Sequence, residues 1–183
     1  KIALDVGNSE EIQLSLSTYR NDLAIIGVTR VPSKFESIPF LTEELALILS
    51  PSHPLARRKE VSLNILTEYP FIIRARGSTT RRIVLQAFQE LGIRPSLLIE
   101  AGSSEFIKQW VSEGKGVSII AKRIAEEEVR SGRIKIVSLK ERLCLEVALL
   151  FLREEEANPV IRAFTRFIEG KGKELNGAGM GGL

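Results

Sequence analysis

Phe71-Ile72-Ile73-Arg74-Ala75-Arg76 reads as a strand that runs into Gly77-Ser78-Thr79-Thr80 and then a helical stretch from Arg81. Leu97-Leu98-Ile99-Glu100 repeats the arrangement. It passes through Ala101-Gly102 into Ser103-Ser104-Glu105 and a second helix. A strand followed by small hydroxyl residues at a helix start is the building unit of an α/β fold. The first backbone N–H groups of each helix have no intrahelical acceptor. With the hydroxyls and the positive end of the helix dipole, they form a seat for an anion or polar ligand. In open α/β sheets such seats lie beyond the carboxyl ends of the strands.

Outward from this block, strand and helix patterns keep alternating, which predicts parallel sheets flanked by helices. Upstream, Lys1–Val6 reads as a strand, so the natural start is expected to lie before it. Asn8 with Glu11 fits a capping pair before a helix whose Ile12, Leu16 and Tyr19 share a face. Asp22–Gly27 reads as a buried strand, Phe35–Leu41 as a connecting segment, Glu44–Leu49 as a strand and Ser62–Thr67 as a short helix. Within the block, the first helix carries Val84, Ala87, Phe88 and Leu91 and stops at Gly92. The second carries Phe106, Ile107, Trp110 and Val111 and stops at Gly114. Downstream come strands at Val117–Ala121, Ile134–Val137 and Leu145–Leu152, with a short helix at Ile124–Val129. A helix over Pro159–Ile168 ends at Gly170.

Leu45–Leu49 and Val147–Leu152 flank the middle block. If both cross between lobes, the chain builds one lobe, passes to a second and returns. That predicts an α/β protein of two lobes with an interlobe cleft and a two-strand hinge. The expected division gives lobe I residues 1–49 and 150–170 and lobe II residues 50–149. Residues 171–183, including the Gly-rich run from Asn176, form a flexible or vector-derived tail.

The chain has 183 residues, a net charge of +3 and an ordinary share of hydrophobic residues, 44%. The mild charge excess does not by itself indicate nucleic acid. A single cysteine, Cys144, excludes an internal disulfide framework and suits a reducing compartment. No apolar run approaches the roughly 20 residues that a membrane helix needs. With one histidine and one cysteine far apart, no zinc site of usual ligand type can be assembled, and no cofactor is expected.

Several segments in order resemble the effector-binding domain of LysR-type transcriptional regulators. They are Arg20–Ile25, Phe40–Ile48 leading into His53-Pro54-Leu55-Ala56, Gly77–Arg81, Glu100–Ile107 and Val111–Ile120. The resemblance covers most of residues 1 to 168. It implies a type 2 periplasmic-binding-protein-like fold with an inducer in the interlobe cleft. It also implies bacterial transcriptional control in the cytoplasm, homodimers or homotetramers, no enzymatic activity and no membrane partner. DNA is implied as a partner only through a winged helix-turn-helix domain absent from this chain. The first strand–helix unit of the regulatory domain is likewise expected to be missing. In the family the hydroxyl-bearing turn after the first second-lobe strand touches the effector, and it matches Ser78, Thr79 and Thr80. The loop after the Asp22–Ile25 strand faces the cleft and matches Gly27, Val28 and Thr29.

Each candidate also has a plainer role. Ser78, Thr79, Thr80, Ser103 and Ser104 suit helix caps whether or not a ligand is present. Arg74 and Arg76 alternate with apolar residues, so both are expected on one face of a strand. Either an edge strand with a solvated face or an anionic effector bound by one of them, Arg76 being the candidate site residue, accounts for them. His53 in a Pro-rich turn reads as structural. Glu126-Glu127-Glu128 and Arg57-Arg58-Lys59 read as solvated faces, and Trp110 as core or a subunit contact. Gly114-Lys115-Gly116 lacks the surroundings of a phosphate loop and reads as a tight turn. A solute-binding protein of a transport system and an enzyme such as a dehydratase, both on the same fold, remain the rivals.

Overall fold

A computed structural model of the chain describes residues 2–178, with side chains to residue 170. The chain divides into two compact units, Lys1–Thr42 with Glu146–Leu183, and Glu43–Leu145. It passes from the first to the second inside strand β2 (Phe35–Leu49) and returns inside strand β8 (Cys144–Leu152). The units divide at 42 and 146, where the sequence reading expected 49 and 150.

In the first unit, α1 (Ser9–Ser17) starts with the expected capping box. Asn8 Oδ1 accepts from the Glu10 and Glu11 amides, each at 3.0 Å, and Glu11 Oε2 accepts from the Asn8 amide at 2.9 Å. Its Leu16 is fully buried against β1 (Ala24–Val28), Phe35 and the end of β8. β1 runs antiparallel to β8, with Ala24 opposite Leu150 and Val28 opposite Glu146. Ala24, Ile26 and Val28 face the core, while Ile25 is exposed.

Three expectations change here. Residues 2–7 form no strand, and Ile2, Leu4 and Val6 are exposed. A strand needs a neighbour for its backbone donors and acceptors, and among the described residues none pairs with this segment. The segment Phe35–Leu41 is not a connection but the first half of β2. Its mixed polar and apolar sequence suits a strand whose faces are only partly covered, as the half-buried pattern there shows. Helix α5 (Pro159–Ala178) does not stop at Gly170. Gly92, Gly114 and Gly132 end their helices with φ of 68°, 74° and 72°, whereas Gly170 has no positive φ and continues the helix. The expected tail therefore begins inside α5, and residues 179–183 lie outside the described residues.

In the second unit, the apolar end of β2 pairs antiparallel with β6 (Ser118–Ala121), Leu45 opposite Ala121, and with β7 (Lys135–Leu139), Leu47 opposite Val137. A short β3 (Glu60–Val61), not expected from sequence, lies parallel to β7. β4 (Phe71–Arg74) and β5 (Leu97–Ala101) are parallel, and Phe71 bridges to Val117. The sheet is thus mixed rather than parallel throughout. The cause is that β2 meets β6 and β7 head to tail.

α2 (Thr79–Glu90) and α3 (Ser104–Ser112) cover opposite faces of this sheet. Val84, Ala87 and Phe88 of α2 pack with Leu47, Leu49, Phe71 and Ile73. Ile107 and Val111 of α3 pack with Ile48, Ile72 and Ile120. Burial on both faces explains the unbroken apolar runs of β2, β4 and β6. Each fully buried large side chain contributes about 2 kcal/mol.

Candidate functional site

The turns that opened the sequence reading come together in the second unit. β4 and β5 are parallel neighbours, with Arg74 opposite Ala101, and the Ala75 amide donates to the Ala101 carbonyl at 2.8 Å. Both strands therefore end at one edge, and α2 and α3 start there. Because the helices leave on opposite faces, their N-termini flank the carboxyl ends of the two strands, where open α/β sheets take ligands.

Ser78 is the N-cap of α2, but its side chain makes no cap hydrogen bond. Ser78 and Thr79 are buried, and Thr80 is half-buried. The first-turn amides of α2 point to this edge, where a helix supplies no acceptor of its own. Ser103 is the N-cap of α3, and its Oγ accepts from the Phe106 amide at 3.3 Å. That hydroxyl is spent on the cap. Ser104 Oγ instead accepts from Arg74 Nη1 at 2.6 Å.

The two arginines separate. β4 ends at Arg74, and Arg76 sits in the turn before Gly77, exposed to solvent. They do not share a strand face, because the strand ends at Arg74 and Arg76 already belongs to the turn that Gly77, with φ of 84°, completes towards α2. Arg74 is the half-buried one. Burial lowers its pKa, and among the described residues no carboxylate offsets that cost. Arg81 Nη1 donates to the Arg74 carbonyl at 2.9 Å, and its Nη2 donates to Glu100 Oε1 at 2.7 Å. Arg81 thus braces the end of β4 against β5. This brace was missed in the sequence, where Arg81 was only the residue that followed the hydroxyl turn.

Gly27 and Thr29 belong to the first unit. Gly27 and Val28 lie within β1, opposite Val147 and Glu146, rather than in the loop after it. Only Thr29 is in that loop, and it is exposed.

A second polar cluster was also missed. Glu126 and Glu127 are exposed as expected, but Glu128 of α4 (Glu126–Arg130) is buried. Its Oε1 lies 3.0 Å from Nζ of Lys108 on α3, which is also buried. Lys108 further contacts Glu105 at 2.9 Å and donates to the Ile124 carbonyl at 3.1 Å. Ser104 and Lys108 are one turn apart, so the same face of α3 is held at both points. The remaining signals stay structural. His53 Nδ1 accepts from the Leu55 amide at 3.2 Å, and the ring meets Tyr69 edge-on at 4.6 Å. Among the described residues no helix is long and apolar enough to cross a membrane.

Residues 1–172 match the family model described as LysR substrate binding domain. The chain belongs to this family. It is 30% identical over 169 residues to the uncharacterized HTH-type transcriptional regulator YeiE of Escherichia coli K12, covering 92% of this chain and 57% of YeiE. It is 34% identical over 182 residues to the HTH-type transcriptional regulator CbbR of Rhizobium meliloti, covering 94% of this chain and 56% of CbbR. The chain thus spans about half the length of the curated relatives it matches, which are transcriptional regulators rather than enzymes. Among solved structures, the Synechocystis PCC6803 CcmR regulatory domain, in complex with 2-PG, matches with a TM-score of 0.86 and 25% identity over 94% of this chain and 84% of that one. The effector-binding domain of QuiR matches with a TM-score of 0.83 and 24% identity over 92% of this chain and 79% of that one. The LysR-domain chain has the periplasmic-binding-protein-like α/β fold of these regulatory domains.

Proposed function

We propose that this LysR-type domain senses a small anionic metabolite at the mouths of α2 and α3. Arg74 carries the proposal. It is a half-buried guanidinium with a neutral hydroxyl as partner and, among the described residues, no carboxylate to offset its burial, at an edge where two helix N-termini also favour negative charge. Ser78, Thr79 and Thr80 line the α2 side, Ser103 and Ser104 the α3 side, and Arg76 is an outer cation. The 2-PG complex of the CcmR regulatory domain supports a small-molecule role for the fold.

Effector binding biases one arrangement of the domain over another, by as much as its affinity differs between the two. In a cytoplasmic homodimer or homotetramer that bias reaches DNA through a helix-turn-helix domain outside these residues. A thermal-shift screen of organic acids and phosphates tests the proposal. At least one compound raises the melting temperature of the wild type, and Arg74→Ala with Thr80→Ala abolishes the rise. Equal shifts in wild type and the double variant would remove the ligand from this edge.

A further inference from the structure

A cavity of about 440 Å³ opens within the first unit, on residues separate from the helix mouths. Helix α5 forms one wall, strands β2 and β8 form the other, and Glu156, from the segment between β8 and α5, completes the lining. Its floor is apolar. Phe151 is 4% exposed and Ile161 is 1% exposed, and Ile38 lies beside them. A cavity of this size with an apolar floor and a few polar groups is how small-molecule sites are built.

The polar groups are specific. Arg162, Arg166 and Glu169 lie on one face of α5, spaced by four and three residues. Glu156 faces the same cavity. Glu36 also lines it, but that carboxylate is already paired with Arg153 at 2.8 Å. Arg162 Nε donates to the Glu156 backbone carbonyl at 3.2 Å, which neutralises neither side chain. Among the described residues, Arg166 and Glu169 are in no ion pair. Thr165, the residue before Arg166, has a buried Oγ1 with no hydrogen-bond partner among the described residues. An unpaired buried hydroxyl is unfavourable until a guest supplies a partner.

Charge decides the class of guest. With the Glu36–Arg153 pair set aside, the lining carries two guanidinium groups and two carboxylates. A simple anion gains from the arginines what it loses to Glu156 and Glu169. A guest carrying both signs gains from both. We propose that this cavity binds a small zwitterion with an apolar body, the chemistry of an apolar α-amino acid. Its carboxylate would engage the Arg162 and Arg166 forks, its ammonium Glu156 or Glu169, and its side group the Phe151 and Ile161 floor.

Amide NMR of the whole chain titrated with L-leucine, L-valine and L-phenylalanine tests this. At least one gives saturable shifts at residues 36–38 and 161–169, with a dissociation constant of about 1 mM or tighter. Its amide, which lacks the carboxylate, and its deaminated acid, which lacks the ammonium, bind at least about tenfold more weakly to the same wild-type chain. Arg166→Ala weakens the amino acid to a similar extent. Arg74→Ala, which cripples the helix mouths, leaves it unchanged, so failure of the anionic-effector proposal is a separate result. The zwitterion site is overturned if none of the three saturates by about 10 mM. It is also overturned if the deaminated acid binds equally well, or if the shifts fall at Ser78–Thr80 instead.

Discussion

Arg74 Nη1 donates to Ser104 Oγ at 2.6 Å, tying the last residue of β4 to the first residue of α3. One side chain thus joins two turns 30 residues apart and carries the charge between them. If Arg74 grips the effector, Arg74→Ala weakens the best organic acid from the thermal screen by about ten- to hundredfold, the range for a charged hydrogen bond. Arg74→Lys keeps the charge but loses the fork, and falls between. Ser104→Ala leaves the guanidinium in place and costs least. Titration calorimetry gives the order, and Ser104→Ala as the most damaging change would make Arg74 a scaffold rather than a ligand contact.

Lys108 and Glu128 pin α3 to α4 from inside. Lys108→Met leaves a buried carboxylate, one of whose oxygens already lacks a partner. Breaking such a pair from one side costs about 3 kcal/mol, whereas replacing both members by apolar residues is close to neutral. Lys108→Met is therefore expected to lower stability by about that amount in urea melts, and Lys108→Met with Glu128→Leu to recover most of it. A double variant no more stable than the single one would show that the pair is not acting as a pair.

The same pair sets a pH response with two signs. Burial pushes the Glu128 carboxyl up, but its bonds to Lys108 and the backbone outweigh this and hold it below 4.5. The folded state then binds its proton less readily than the unfolded chain. Glu128 stabilises above pH 4.5, and its contribution is lost as pH falls through the lowered value. Lys108 is pushed down by burial and more strongly up by Glu105 and Glu128, so it sits above 10.5. Its contribution is present below pH 10.5 and is lost as pH rises through the raised value. Glu128→Gln should lose less stability than the wild type between about pH 5 and pH 3. Parallel acid limbs for the two proteins would assign the acid loss to other carboxylates.

Local chemistry carried much of this fold into the sequence. The Asn8–Glu11 capping box, the hydroxyl turns before α2 and α3, and the stops at Gly92 and Gly114 depend on neighbours a few residues away. What the sequence hid depends on distant partners. Arg74 and Arg76 alternate in sequence, yet the strand ends at Arg74, so Arg74 is half-buried while Arg76 stands exposed in the turn. Glu128 sits in an acidic run that looks solvated, and its burial is decided by Lys108, 20 positions earlier. Residues 2–6 have the pattern of a strand, but pattern supplies no partner edge.

Two glycines distinguish close approach from spare helix. A Cβ on Gly116 would lie 2.7 Å from the Pro70 carbonyl oxygen, which also accepts from the Val117 amide at 2.9 Å. Gly116→Ala therefore pushes β4 away from β6, at a cost of about 2 kcal/mol. Because Arg74 ends β4, the displacement also weakens effector binding. Gly170 has nothing within 4 Å of a built Cβ and lies inside α5 without a positive φ. Gly170→Ala removes the entropic cost of glycine in a helix and should stabilise by about 0.5–1 kcal/mol without touching ligand affinity. Melting temperatures of the two variants move in opposite directions. A loss of stability in Gly170→Ala would mean that α5 does not continue past that residue in solution.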